Sequence, residues 1–231
     1  MSWETKTDYA GIAVSGKLIA KASTLNRTGQ YIEKHGQNGD YVATKAFGMR
    51  NGPSVEYVVA DDVTIEDPTL GTVSTVDGKK YCLESISWST GADQEPTVSA
   101  TAQEVASGAA TRNTFVCPDF TISPDQIAQI PFTAFTVTGT SCELTACSGE
   151  MSCKVGTNDK NGDPQAHDVT NGHIVLNMTI AQYGETAPGI TPDTGWDISS
   201  PLTCSDPDSD YPEWTATLTK KLTKTMASAS S

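Results

Sequence analysis

Apolar and polar residues alternate with a period of two along most of the chain, the pattern of strands that bury one face. The alternation is clearest over residues 11–23 (GIAVSGKLIAKAS), 40–47, 54–65, 79–89 and 96–106, and it resumes over 132–156, 172–184 and 212–224. Within 79–89, strict alternation puts Tyr81, Leu83, Ser85 and Ser87 on one face and Cys82, Glu84, Ile86 and Trp88 on the other. Turn formers separate the runs. Asp77-Gly78 is a strong hairpin signal, because a two-residue hairpin turn needs positive φ values that Asp, Asn and Gly tolerate. Asn38-Gly39, Asn51-Gly52, Asn161-Gly162 and Asn171-Gly172 read as turns for the same reason. Residues 27–39 and 185–195 read as long loops open to neighbouring molecules. Only SPDQIAQIP, residues 123–131, breaks the β pattern. Ser123 can cap, Pro124 suits the first helical position, Gln126 completes a capping box and Pro131 ends the run, which predicts one or two helical turns.

The punctuation recurs in one order. Asn38-Gly39-Asp40 matches Asn161-Gly162-Asp163, Asn51-Gly52 matches Asn171-Gly172, Cys82 matches Cys204, and the run from Glu95 matches the run from Glu213. The expected fold is therefore mainly β. It consists of two related antiparallel β-sandwich or half-barrel units in tandem with one short linking helix. The first unit covers residues 1–110, and 111–231 hold the helix-containing linker and the second unit.

Composition narrows the function. The 231 residues carry a formal net charge of -13, shared between both halves, and 19% of them are charged. Such a surface repels nucleic acid and anionic membranes, so a sequence-specific reader of DNA or RNA is not expected. No apolar run reaches membrane-spanning length, and the first seventeen residues lack a signal-peptide core, so folding in the compartment of synthesis is expected. Six cysteines (82, 117, 142, 147, 153 and 204) include no Cys-x-x-Cys pair, which argues for free thiols rather than zinc. The odd spacing of Cys142 and Cys147 sets them on opposite faces of an ideal strand.

No residue emerges as catalytic, cofactor-binding or metal-ligating, and neither an enzyme nor a cofactor is expected. The histidines are His35, His167 and His173, with no His-x-x-x-His and no Gly-x-Ser-x-Gly. Asp159, Asn161 and Asp163, and likewise Asp206, Asp208 and Asp210, alternate as calcium ligands do. Both loops lack the glycine and the closing glutamate of a calcium loop and read as solvated turns. Lys220, Lys221 and Lys224 read as an edge-strand guard against aggregation. Trp88 and Trp214 read as core, although an exposed tryptophan in a groove would suit a sugar.

Residues 78–105, GKKYCLESISWSTGADQEPTVSATAQEV, together with the Thr/Ser/Ala-rich alternation, resemble structural proteins of tailed bacteriophages, most of all tail tube and baseplate-type β-sandwich proteins. The resemblance implies a non-enzymatic virion protein, made and assembled in the bacterial cytoplasm. Such a protein would associate with itself into a ring or tube, contact other virion proteins and let DNA pass without specific binding. A capsid decoration protein and a carbohydrate-binding adhesion module are the alternatives.

Overall fold

A computed structural model describes residues 5–9, 12–76, 78–92, 94–105, 113–139, 141–160, 163–182, 186–205 and 211–226. Seventeen strands form among them. β1 (Thr5–Tyr9), β2 (Ile12–His35) and β3 (Tyr41–Val59) lead into β4 (Val63–Ile65), β5 (Thr69–Leu70) and β6 (Val73–Val76). A hairpin of β7 (Lys79–Gly91) and β8 (Gln94–Val105) follows, then β9 (Asn113–Val116), β10 (Phe120–Ile122) and β11 (Phe135–Thr138). A second long hairpin comprises β12 (Cys142–Lys160) and β13 (Asp163–Gln182). It is followed by β14 (Gly189–Pro192), β15 (Trp196–Cys204), β16 (Glu213–Lys221) and β17 (Lys224–Met226).

Every pairing is antiparallel. One 12-stranded sheet has the order β10-β4-β2-β3-β8-β7-β12-β13-β16-β15, with β1 on β2 and β6 on β7. Small sheets of β11-β14 and β17-β9-β5 complete the fold. The sheet does not stop between the halves. β7 and β12 pair from Ser85↔Ser152 to Gly91↔Ala146, so the two sets of strands share one surface and one core cluster.

Within that sheet, β2-β3-β8-β7 and β12-β13-β16-β15 follow the same rule: first strand, second, fourth, third. Their irregularities also recur. The β2–β3 ladder shifts register at Ala20/Ala22, Thr28/Gln30 and Lys34/His35, and the β12–β13 ladder shifts at Leu144/Ala146, Ser152/Lys154 and Asn158/Asp159. Each shift lies 124 residues after its counterpart. A further pair falls at Leu83/Ser85 in β7 and Ile198/Ser200 in β15. Carried through these ladders, Asn51 corresponds to Ile174, Cys82 to Asp197 and Thr97 to Glu213. The landmark matches Asn51–Asn171, Cys82–Cys204 and Glu95–Glu213 are thereby corrected.

The bulges correct other expectations too, because each adds a residue and inverts the alternation beyond it. Leu83 shares a face with Ile86 and Trp88, opposite Ala102, Ala100 and Val98 in turn, while Cys82, its regular neighbour in the ladder, is buried on the other face. Cys142 stands opposite Gln182 and Cys147 opposite Met178, so the two thiols share a face. Asn51-Gly52 runs inside β3, and Asn171-Gly172 lies in the β13 bulge opposite Cys153, with Asn171 at φ 56; neither closes a hairpin. True turns lie at Gly39 (φ 80), between β2 and β3, and at Gly78 (φ 75), between β6 and β7. Residues 27–35, expected in a loop, are the outer part of β2. In 185–195, β14 pairs with β11.

No helix forms over residues 123–131. A single turn joins the Gln126 N–H to the Ser123 carbonyl at 3.5 Å. Tertiary partners take the groups that a helix would have used. The Gln129 side-chain amide donates to the Ser123 carbonyl (2.6 Å), its backbone N–H donates to Thr90 Oγ1 (3.3 Å), and the Thr121 N–H donates to the Pro131 carbonyl (3.2 Å). A short capped segment loses helix whenever such partners satisfy its backbone, since helix nucleation is costly.

This middle segment crosses the buried face and ties the halves together. Trp88 of β7 meets Phe120 edge-on (centroids 5.0 Å apart) and Phe132 (5.4 Å), and Phe132 stacks on Trp196 of β15 at 5.7 Å. Two glycines make room for aromatic rings. A Cβ on Gly149 would lie 2.3 Å from Trp88 Cζ2, and one on Gly172 would lie 2.3 Å from Phe115 Cδ1.

Candidate functional site

Among the described residues, those that could carry chemistry are not assembled into one site. His35 stands exposed near the β2–β3 turn, with Nε2 3.6 Å from a Glu33 carboxylate oxygen and its ring edge-on to Tyr41. Nδ1 of His173 lies 2.8 Å from the Asn171 carbonyl of its own strand. The side chains of Asp159, Asn161, Asp163 and His167, and all of Trp3 and of Asp206, Asp208 and Asp210, lie outside the described residues. Among the described residues no group of three His, Cys, Asp or Glu could hold a metal. No helix among them is long and apolar enough to cross a membrane.

The six cysteines are free. Burial pushes the thiols of Cys82, Cys117, Cys147 and Cys153 up to about 12. They are therefore almost wholly protonated at neutral pH, and a thiol rather than a thiolate is a poor nucleophile. Cys142 and Cys204 are only half-buried. With a thiol reagent at pH 8, two of six cysteines are expected to react in the native protein and all six after denaturation. Fast reaction of four or more would contradict this packing.

Glu84 of β7 is half-buried between the two halves. Its carboxyl is raised above the usual range, first by burial and then by repulsion from Glu150, against a backbone hydrogen bond at Val155. A folded-state pKa above the unfolded one means that the native state binds the extra proton. Stability is thus greatest below the ordinary glutamate range and falls as pH rises through the raised value. Glu84→Gln is expected to raise Tm at pH 7 and to lose that advantage near pH 4. An equal shift at both pH values would assign the effect to something other than ionisation.

Lys220 and Lys221 are not an edge guard, whereas Lys224 does lie on an edge strand, β17 of the β17-β9-β5 sheet. β16 lies between β13 and β15, with Lys220 opposite both Ile174 and Trp196 and Lys221 opposite His173. Lys220 Nζ sits 5.7 Å from the centroid of the Trp196 ring. Lys220, Lys221 and Lys224 line an open groove of about 660 Å³ with His173, Asn171 and Phe115, a basic spot on an acidic protein. Lys224 is partly matched by Asp168 at 3.9 Å. Trp88 and Trp196 are buried and Trp214 is half-buried, so none of the three offers an open platform for a sugar ring.

What stands open is strand edge. β1 and β4 cover β2 only as far as Ile19, and among the described residues no strand pairs with its outer edge beyond that point. Residues 21–27 are all exposed, with Leu25 at 53%. At the other end of the sheet, β15 pairs with β16 alone and leaves its second edge unpaired among the described residues. Ile198 there is 45% exposed. Beyond Ser152 and His173, the β12–β13 hairpin runs on to Lys160↔Asp163 with neither β7 nor β16 beside it. The β2–β3 hairpin likewise runs past the end of its β8 pairing at Ser54. Sequence reasoning missed these edges, because strand order cannot be read from alternation.

No protein-family model and no curated protein matches this sequence.

Proposed function

We propose that this chain is a non-enzymatic structural protein of a bacteriophage particle that assembles with copies of itself into a ring or tube. We also propose that its two strand quartets are related units descended from one duplicated ancestor. The observation that carries the assembly reading is the pair of open edges at opposite ends of one sheet. An unpaired edge is a template for another strand, and a stable monomer normally covers or bends it. Two different edges on one chain favour head-to-tail contacts, which close into rings or run on as tubes. The projecting hairpins add to this, since an isolated two-stranded ribbon is marginal in water and gains from a neighbour.

Duplication is supported by the shared strand order and by three register shifts at a single spacing. Bulges are specific features of a fold, and three of them would not fall at one spacing through hydrophobic patterning alone. The phage context is supported by the resemblance of residues 78–105 and by a net charge of -13, which suits a wall past which DNA slides without counterion release. Two units per chain would let three chains make a ring of six lobes.

Negative-stain electron microscopy of the purified protein tests the assembly reading. Rings or tubes of uniform diameter are expected. Monodisperse monomers at every concentration would overturn it.

A further inference from the structure

The seam inside the chain specifies how one copy would meet the next. β7, the third strand of the first quartet, joins β12, the first strand of the second, through seven antiparallel pairs from Ser85↔Ser152 to Gly91↔Ala146. The counterpart of β7 is β15 and the counterpart of β12 is β2, by strand order and register. Those two strands own the open edges. The first quartet thus ends in a strand that the second quartet's first strand already accepts, and the second quartet ends in the counterpart of that strand.

We propose that β15 of one copy adds antiparallel to residues 24–28 of β2 in a second copy, in the register by which β7 joins β12. Carrying the internal ladder across places Ser200 opposite Thr28, Thr203 opposite Asn26, Cys204 opposite Leu25 and Ser205 opposite Thr24. The pair Cys204–Leu25 then takes the place of Trp88–Gly149. At the internal seam a large side chain of β7 fills the space left by glycine in β12. At the outer seam the small residue is on β15 and the large one on β2, so the pair is again one large and one small.

The edges are chemically suited to this. The β2 stretch Ser23-Thr24-Leu25-Asn26 is uncharged and exposed along its length. β15 contributes Ser200, Thr203 and Cys204, also uncharged. Pro201 cannot donate to a ladder, but it lies in the register shift between Ser200 and Thr203, where β15 already skips a partner in β16. The new ladder would therefore come in two pieces around the same irregularity. The contact is heterologous, using one surface on each side, and so propagates from copy to copy.

This inference rests on the self-assembly reading and adds the surface and the register. The test is Leu25→Cys, oxidised mildly in the assembled state, with the native Cys204 as its partner. Directly opposed residues have Cβ atoms about 4.5–5.5 Å apart, close enough for a disulfide with small adjustments. A reductant-sensitive ladder of dimers, trimers and larger species is expected on a denaturing gel, absent in Leu25→Cys/Cys204→Ser and at least tenfold weaker in Ile127→Cys. Leu25→Lys is a second probe, because residue 25 is exposed and the change should leave far-UV circular dichroism unchanged while abolishing assembly. Wild-type particles with no specific Leu25→Cys crosslink, together with intact assembly of Leu25→Lys, would overturn the proposed seam and leave the assembly reading standing. Wild-type protein that forms no particles would defeat both.

Discussion

Trp88→Ala is expected to cost about 4 kcal/mol of stability, within the range for emptying a buried aromatic site. For a chain of this size that corresponds to a fall in Tm of roughly 8–16 °C. Trp88 is 3% exposed and stands at the centre of the seam between the quartets. Its indole contacts Phe120 and Phe132 on one side and the Gly149 backbone of the neighbouring strand on the other. Because Phe132 also stacks on Trp196, the loss propagates from β7 towards β15. Trp88→Phe keeps an aromatic edge for Phe120 and is expected to recover about half of the loss. Thermal and denaturant unfolding provide the check. A Trp88→Ala cost below about 1 kcal/mol would mean that the indole is not wedged between the halves.

Adding one methyl at Gly149 should be nearly as damaging. Gly149 lies opposite Trp88 in the ladder, and its added Cβ would meet Cζ2 at 2.3 Å, Cη2 at 2.5 Å and the Val175 carbonyl at 2.8 Å. The indole cannot swing away, because Phe120 and Phe132 fill its other side, and the Val175 carbonyl is backbone. Overpacking of this kind costs about 1–3 kcal/mol and can exceed that where backbone must move. Gly149→Ala is thus expected near the top of that range. The two substitutions should not add. With the indole gone only the contact with the Val175 carbonyl remains, so Gly149→Ala should cost clearly less in the Trp88→Ala background than in the wild type. Additive costs would show that the two residues do not compete for one volume.

Much of the strand content was legible because a half-buried strand writes its period directly into the sequence. Lys79–Gly91 is one example, and the hairpin at Gly78 was correctly signalled. What alternation could not show was each inserted residue. A bulge looks like an error of parity, so Leu83 read as facing away from Ile86, and Cys142 as facing away from Cys147. Asn-Gly misled for a related reason. Positive φ serves a bulge as well as a turn, and Asn171 uses it inside a strand. Residues 123–131 carry a sound helix signature, but Thr90 from elsewhere in the chain and the segment's own Gln129 side chain supply the partners, and propensity yields to them. The open edges were invisible because they depend on strand order over the whole chain.

The shared strand order of the two quartets has a counterpart in the recurring turn dipeptides, though in another register. Turn dipeptides drift relative to strands when loops gain or lose residues, whereas bulges stay tied to the ladder they interrupt. That is why Cys204 lines up with Trp88 rather than with Cys82. The internal seam joins the two quartets through β7 and β12. It is the template, within one molecule, for the contact proposed between two.

The most direct test is an electron cryo-microscopy reconstruction of the assembled particle at a resolution that separates strands. Twice as many β lobes as chains are expected around the particle, with β15 of each chain beside β2 of the next and Cys204 opposite Leu25. A particle whose chains meet through other surfaces, or whose two quartets do not superpose, would contradict it.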